Sequence, residues 1–316
     1  MSRSPTVKSI AGEEHGPLNR VRPPETMIGI IWRQFRRHPL AIAGSSILLV
    51  IALMSILAPL WPDGPEALDV TNRWEPPSLA HPMGTDRIGR DMMARILHGG
   101  RISLSVGILA MLTAICIGTV IGGTAGYCGG VVDNALMRFT DFFLCFPSLF
   151  VLILLSSRLR QTQIPFLQGG VASIVLVIGA MSWMSVARVV RALFLSVKHE
   201  EFIVAAHAYG ASELRIMFRH ILPNSVGPII VNGTMGVAWA ILTESGLSFL
   251  GYGVQPPVPS WGNILTGAQE FMSLHPWVAI FPGFMIFITV ICINFIGDAL
   301  RDALDPRKVV GLQRGQ

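Results

Sequence analysis

The stretch EEFIVAAHAYGASELRIMFRHILPN, Glu200 to Asn224, lies between two long apolar segments, is too polar to cross a bilayer, and has few turn formers before Pro223. Its apolar and small residues recur at helical spacing: Ile203, Ala206, His207 and Gly210 fall at i, i+3, i+4 and i+7, with Ala205 beside them. Glu200 and Glu201 suit the positive end of such a helix. Gly210 can end or bend it, and Ser212 can cap a second helix carrying the stripe Leu214, Met217, Phe218 and Ile221. Pro223 sets a boundary, and Asn224 or Ser225 can cap the apolar helix that follows. A short helix with small residues on one side suits the cleft of another protein; a connector lying on lipid headgroups would have the same pattern.

Outward from that stretch the chain is made for lipid. Of its 316 residues 51% are hydrophobic and only 14% charged, where a soluble domain carries about 25%. Six segments reach the roughly 20 apolar residues that cross a hydrocarbon core: Leu40 to Trp61, Ile102 to Val132, Asn134 to Ser157, and stretches within Gly169 to Ala187, Asn224 to Thr243 and Trp277 to Gly297. With the N-terminus inside, 17 of the 24 Lys and Arg lie on the cytoplasmic side and 7 outside, which predicts both termini in the cytoplasm. The net charge of +5 follows from that retention and needs no nucleic-acid partner. Cys116, Cys128, Cys145 and Cys292 fall in or beside apolar runs, without C-x-x-C spacing, and read as small buried hydrophobes.

The organisation expected is therefore a polar, disordered cytoplasmic tail over 1–27 and an interfacial helix plus first span over 28–61. An extracytoplasmic segment over 62–101 follows, then a five-span core over 102–298 with the cytoplasmic loop 192–223, and a tail over 299–316. Gly118, Gly122 and Gly126 repeat every fourth residue, a face on which helix backbones approach closely within one bundle.

The segment AAHAYGASELRIMFRHILPN resembles the cytoplasmic "EAA" loop of ABC importer permeases, with Ala205, Ala206, Gly210, Leu222 and Pro223 matching. MGTDRIGRDMMARILHGGRISLSVG (Met83 to Gly107), LSFLGYGVQPPVPSWGNIL (Leu247 to Leu265) and NFIGDALRDALDPR (Asn294 to Arg307) resemble the dipeptide/oligopeptide/nickel branch, in its second, "C"-type permease. The resemblance covers about residues 28–310. It implies an all-α polytopic membrane protein of the bacterial inner membrane, with the type I ABC importer permease fold, six transmembrane helices and both termini inside. It further implies a heterodimer with a homologous permease, two ABC ATPase subunits that bind ATP and Mg, and an extracytoplasmic substrate-binding protein. The solute would be a di- or oligopeptide; nickel complexes and glutathione are served by the same branch.

In that family the loop is a coupling helix docked on the ATPase, which implies coupling roles for Glu201, Val204, Ala205, Ala206, His207, Gly210, Ala211, Ser212, Leu222 and Pro223. Two positions depart from the pattern. Val204 stands where the motif has glutamate, and Glu201, three residues earlier on nearly the same face, can substitute; His220 stands where the broader motif has isoleucine.

Outside the membrane, Thr85 or Asp86 can cap a helix bearing Ile88, Met92 and Ile96, which an interfacial helix explains; alternatively Asp86, Arg90 and Asp91 hold an outer gate or docking surface through ion pairs. The stiff loop GYGVQPPVPSWGN offers Gln255 and Trp261 to a binding protein, unless Trp261 is an interfacial anchor. Arg138 and Asp141 suit a local ion pair, and Glu244 can face the path. The final GDALRDALDPR reads as a solvated helix.

Two other classes fit poorly. A proton-coupled transporter usually needs a carboxylate near the middle of a span, and an intramembrane enzyme needs a motif such as H-E-x-x-H or G-x-S-x-G; neither is present. No Lys follows a glycine, so the chain has no phosphate-cradling loop and would be a non-catalytic subunit without cofactor or metal.

Overall fold

The computed structural model describes residues 27–304 except 165, 166, 168 and 169; the tail expected at the N-terminus and the residues after 304 lie outside them. The described chain is helical, with an isolated bridge between Thr85 and Asp91 as its only β pairing. Five helices are long and apolar enough to cross a membrane, or six if one bent pair counts as a span.

Helix α1 (Met27–Phe35) lies against the last helix, and after a short break Pro39 opens α2 (Pro39–Ile56), where its missing N–H costs nothing. α2 is apolar all round, as a lipid-facing span must be. Only its small-residue side turns inward, with Gly44 close against the backbone of Cys292.

Helix α3 (Met92–Cys128) begins at Met92 rather than Ile102, so the charged turn holding Arg95, His98 and Arg101 is part of the span helix itself. It stops because Gly129 and Gly130 both take positive φ, +67° and +53°, which a side-chain-bearing residue rarely adopts. The long uncharged stretch 102–132 is thereby divided between two helices.

The expected third span is a broken one. α4 (Gly130–Leu144) and α5 (Ser148–Arg160) meet at 85° across Cys145–Pro147. Pro147 supplies no N–H and keeps Phe146 out of helical geometry, which a periodicity reading of Asn134 to Ser157 passes over.

Helix α6 (Val171–Val197) packs against α3 along much of its length. The glycine repeat explains why. A Cβ added at Gly118 would lie 2.6 Å from Val186 Cβ, one at Gly126 2.7 Å from the Arg191 carbonyl, and one at Gly122 would meet the Ala187 carbonyl. The stripe serves contact within one bundle, as its spacing predicted. Arg191 then grips Asp133 of α4 through Nε and a terminal nitrogen at 2.5 and 2.6 Å. Asp141 pairs with Arg188 of α6 at 2.6 Å instead of with its neighbour Arg138.

After α7 (Glu201–Ala208) and α8 (Glu213–Ile216), the chain widens into a π turn at Met217–Ile221 and runs on as α9 (Leu222–Phe249). Pro223 is therefore no boundary. Proline cannot donate to the carbonyl one turn back and crowds it, and the wider turn accommodates this without ending the helix. Asn224 and Ser225 do not cap; their side chains donate back to the His220 and Ile221 carbonyls.

A short α10 (Trp261–Thr266) precedes α11 (Trp277–Leu304). The end of α11, expected to be solvated, keeps Ala299 and Ala303 buried while Asp302 reaches His38 at 3.6 Å. The cysteines also differ from expectation: Cys292 is buried, whereas Cys116, Cys128 and Cys145 are exposed.

Candidate coupling surface and outer closure

At the end of the bundle where α3 begins, the segment Gly84 to Asp91 is a knot rather than a helix. Asp86 is 3% exposed and accepts four hydrogen bonds. One carboxylate oxygen takes the backbone N–H groups of Ile88 and Arg90, both at 3.0 Å; the other takes Arg90 Nε at 2.7 Å and an Arg95 terminal nitrogen at 2.8 Å. Asp91, not Thr85 or Asp86, caps α3, accepting from the Ala94 N–H at 2.7 Å while its second oxygen meets His81 Nδ1 at 2.8 Å. The two glycines of the motif have physical reasons. Gly84 (φ +74°) and Gly89 (φ +82°) take left-handed conformations, and a Cβ on Gly89 would collide with the Asp69 carbonyl. Hydrogen bonds from the Thr71 hydroxyl and then its backbone hold the exposed Asp69 carboxyl below its ordinary range. Trp277 Nε1 donates to the Thr85 carbonyl at 3.3 Å, and Trp74 stacks on His275 at 4.2 Å, so the knot is clasped to the start of α11.

Asp86 thus forms the expected ion pair with Arg90, whereas Asp91 meets His81 instead; both aspartates are buried and Arg90 is largely covered. Trp261 is a clearer correction. It is neither an interfacial anchor nor a docking residue, since it is fully buried and donates its indole N–H to the Ile96 carbonyl at 3.0 Å. Gly99 and Gly100 make its room: a Cβ at either would lie 3.3 or 3.0 Å from the ring. Gln255 is half-buried and donates to the carbonyls of Gly251 and Gly253, stiffening its own loop. Glu244 does not face a path. It is wholly buried and accepts from Ser248 at 2.7 Å and Ser103 at 3.0 Å, while Ser103 in turn accepts from the Trp261 backbone N–H. That carboxylate joins α3, α9 and α10.

At the opposite end, where α3 finishes, α7 turns one side to the bundle and the other to solvent. Ile203 is fully buried, packed with Phe194, Ile216 and Ile221, and Ala206 and Ala211 are half-buried against the same cluster. The free side carries Glu201, Val204, Ala205, His207, Ala208 and Tyr209, with Val204 61% and Tyr209 92% exposed. Gly210 ends the helix at φ +78° with open space where a side chain would be. Ser212 stands at the cap position of α8 without a side-chain bond. The second stripe divides: Ile221 goes inward and Met217 is half-buried against the same cluster, whereas Leu214 and Phe218 stay exposed; the buried Ile216 lay outside the stripe. Leu222 joins the core cluster and Pro223 is exposed. Two ties fix the whole loop to the end of α3: the Tyr127 hydroxyl bonds the Glu213 carboxylate, and Lys198 Nζ donates to the Tyr127 carbonyl at 2.8 Å.

Residues 118–310 match the family described as the binding-protein-dependent transport system inner membrane component, and residues 26–77 match the N-terminal transmembrane domain of oligopeptide transport permease C. The chain belongs to these binding-protein-dependent transport permeases. The permease is 41% identical to the dipeptide transport system permease protein DppC of Alkalihalophilus pseudofirmus, over 90% of this chain and 93% of that one. It is 41% identical to the glutathione transport system permease protein GsiD of Pectobacterium atrosepticum, with 87% and 90% covered. It is 40% identical to the oligopeptide transport system permease protein OppC of Haemophilus influenzae, with 87% of each covered. It is an inner-membrane component of an ABC transport system and works with the other components of that system.

In the permease, sequence reasoning missed Glu213 and Tyr127 and misassigned Glu244 and Trp261. Glu213, Tyr127, Glu244 and Trp261 all form contacts across more than 80 positions of chain, which no local pattern reveals. The paired Gly99–Gly100 was the one local sign that a large ring lay opposite.

Proposed function

We propose that this permease imports di- or oligopeptides as half of a heterodimer with a homologous permease, with both termini in the cytoplasm. Two ATPase subunits drive it through α7, and an extracytoplasmic binding protein delivers the solute. The observation that carries this reading is the free side of α7: small and apolar side chains presented outward on a helix whose other side is locked to the bundle through Ile203. Such a helix passes force instead of absorbing it. The 17-to-7 division of basic residues supports the orientation, and relatives named for dipeptide and oligopeptide transport support the solute class.

Within α7 the docking residues are Val204, Ala205, His207 and Gly210, with Glu201 in place of the absent motif glutamate. Ala206, Ala211 and Leu222 hold the helix to the bundle. Asp86, Arg90, Asp91 and Gln255 keep the outer end closed.

The test is binding-protein-stimulated ATPase activity and peptide uptake by the reconstituted complex carrying Ala205→Arg. A charge forced into the centre of such a contact should cost about 2 kcal/mol or more and abolish both activities, with the permease still inserted in the membrane. Val204→Glu should be tolerated and Glu201→Ala should weaken coupling. Wild-type uptake and stimulation in Ala205→Arg would leave α7 a headgroup-bound connector.

A further inference from the structure

A hollow of about 440 Å³ opens between α3, the α4–α5 bend, α6 and α9, well away from both the outer knot and the coupling loop. That volume lies within the roughly 300–1,000 Å³ of small-molecule sites. Its lining has no charged side chain. Four thioethers, Met111, Met181, Met184 and Met235, supply polarizable walls that adapt to different shapes. Phe146, at the elbow made by Pro147, and Trp239 add flat apolar faces.

Four polar groups stand among them, of which Ser148 is exposed at the start of α5. Ser182 and Ser185 satisfy themselves by donating to carbonyls of their own helix, Ile178 at 2.8 Å and Ser182 at 3.0 Å. Asn232 does not. It is half-buried, lines the hollow from the middle of α9, and its side chain makes no hydrogen bond among the described residues. A carboxamide without partners is costly in a bilayer, and such groups face a protein interior or a wet cavity that serves a passing ligand.

We propose that this hollow is a station on the transport path that recognises a peptide bond through Asn232. The inference rests on the reading of the chain as a peptide importer. The Asn232 carboxamide offers one acceptor and two donors, the complement of a secondary amide's N–H and C=O. The methionine and aromatic walls take whatever side chains flank that bond. With no charge in the lining, the chain ends of a peptide find no ion pair to hold them, so cargo is recognised by its backbone and is not trapped by its termini.

The experiment uses the complete reconstituted importer with its binding protein, and alanyl-leucine dipeptide alongside its ester analogue, in which oxygen replaces the amide N–H. Both are supplied at saturating loading of the binding protein. Wild type should move the dipeptide faster than the ester. Asn232→Leu, close in shape, should lower dipeptide uptake about ten-fold, the loss expected for one or two hydrogen bonds. It should also erase the preference over the ester, while binding-protein-stimulated ATP hydrolysis persists. Ser185→Trp, exposed on the opposite wall, should block uptake of both. If Asn232→Leu does not assemble, Ser185→Trp carries the test alone. Wild-type uptake in the assembled variants overturns the station and leaves the importer reading standing; a wild-type complex that hydrolyses ATP but moves no dipeptide overturns both.

Discussion

Replacing Asp86 by Asn tests the outer knot more sharply than deleting it. The carboxylate divides its work, one oxygen serving two backbone N–H groups and the other two guanidinium groups. An amide keeps one oxygen. Whichever way it is turned, its NH₂ faces donors, either Ile88 and Arg90 N–H or the Arg90 and Arg95 side chains. Arg90 retains 19% side-chain exposure and can turn to water, but Arg95 has only 11% and cannot. Removing one partner from a buried charge pair costs about 3–5 kcal/mol. At about 2 °C per kcal/mol for a chain this size, the melting temperature of the purified complex should fall by roughly 6 °C or more. Asp86→Asn should thus be nearly as damaging as Asp86→Ala, and adding Arg95→Met should recover part of the loss, since the orphaned charge leaves with it. Melting of Asp86→Asn within about 1 °C of wild type, or a double variant worse than the sum of its parts, would refute the division of labour between the two oxygens.

Three further outcomes follow from the same kind of contact. Gly122→Leu should separate α3 from α6, because even a Cβ there meets the Ala187 carbonyl; overpacking costs about 1–3 kcal/mol or more, read as loss of monodisperse protein in size-exclusion chromatography. Trp261→Ala should lower the melting temperature by an amount equivalent to about 3–5 kcal/mol, typical of emptying a buried aromatic site, whereas Trp261→Phe should cost less, losing the hydrogen bond to Ile96, about 1 kcal/mol, and leaving a smaller void. Glu244→Gln should be mild because its one oxygen still accepts from Ser103 or Ser248 and its NH₂ can donate to the other hydroxyl once that rotates, while Glu244→Leu should orphan both hydroxyls at about 1–3 kcal/mol each; equal melting of the two would contradict the contact scheme.

Spans that are uniformly apolar were legible from residues alone, and so was the glycine face of α3, because both depend on patterns within one helix. The α7 stripe was half legible. Its spacing located the helix, but the assignment of Ala206 to the free side reversed once Ile203 was seen to be the buried anchor. The start of α3 was hidden because Arg95, His98 and Arg101 read as the flank of a span, yet Arg95 is paired with an aspartate nine positions away. Trp261 was misread for a related reason: a tryptophan in a loop beside a membrane has an ordinary explanation, and its true partners lie in another helix. Local periodicity thus located helices, while interior polar contacts between distant segments needed the fold.

Because the chain does not break at Pro223, one helical path runs from Glu213 to Phe249, 37 residues. At 1.5 Å per residue that is about 55 Å of continuous rod, nearly twice the thickness of a hydrocarbon core. One end is tied to Tyr127 beside the α7 loop, and near the other sits Glu244 in its ring of hydroxyls. Turned as a rigid body by about 5° about one end, such a rod displaces the far end by about 5 Å, the height of a single helical turn. A displacement of that size would take Glu244 out of hydrogen-bond reach of Ser103, so a tilt of α9 alone is enough to relate the two ends of the helix.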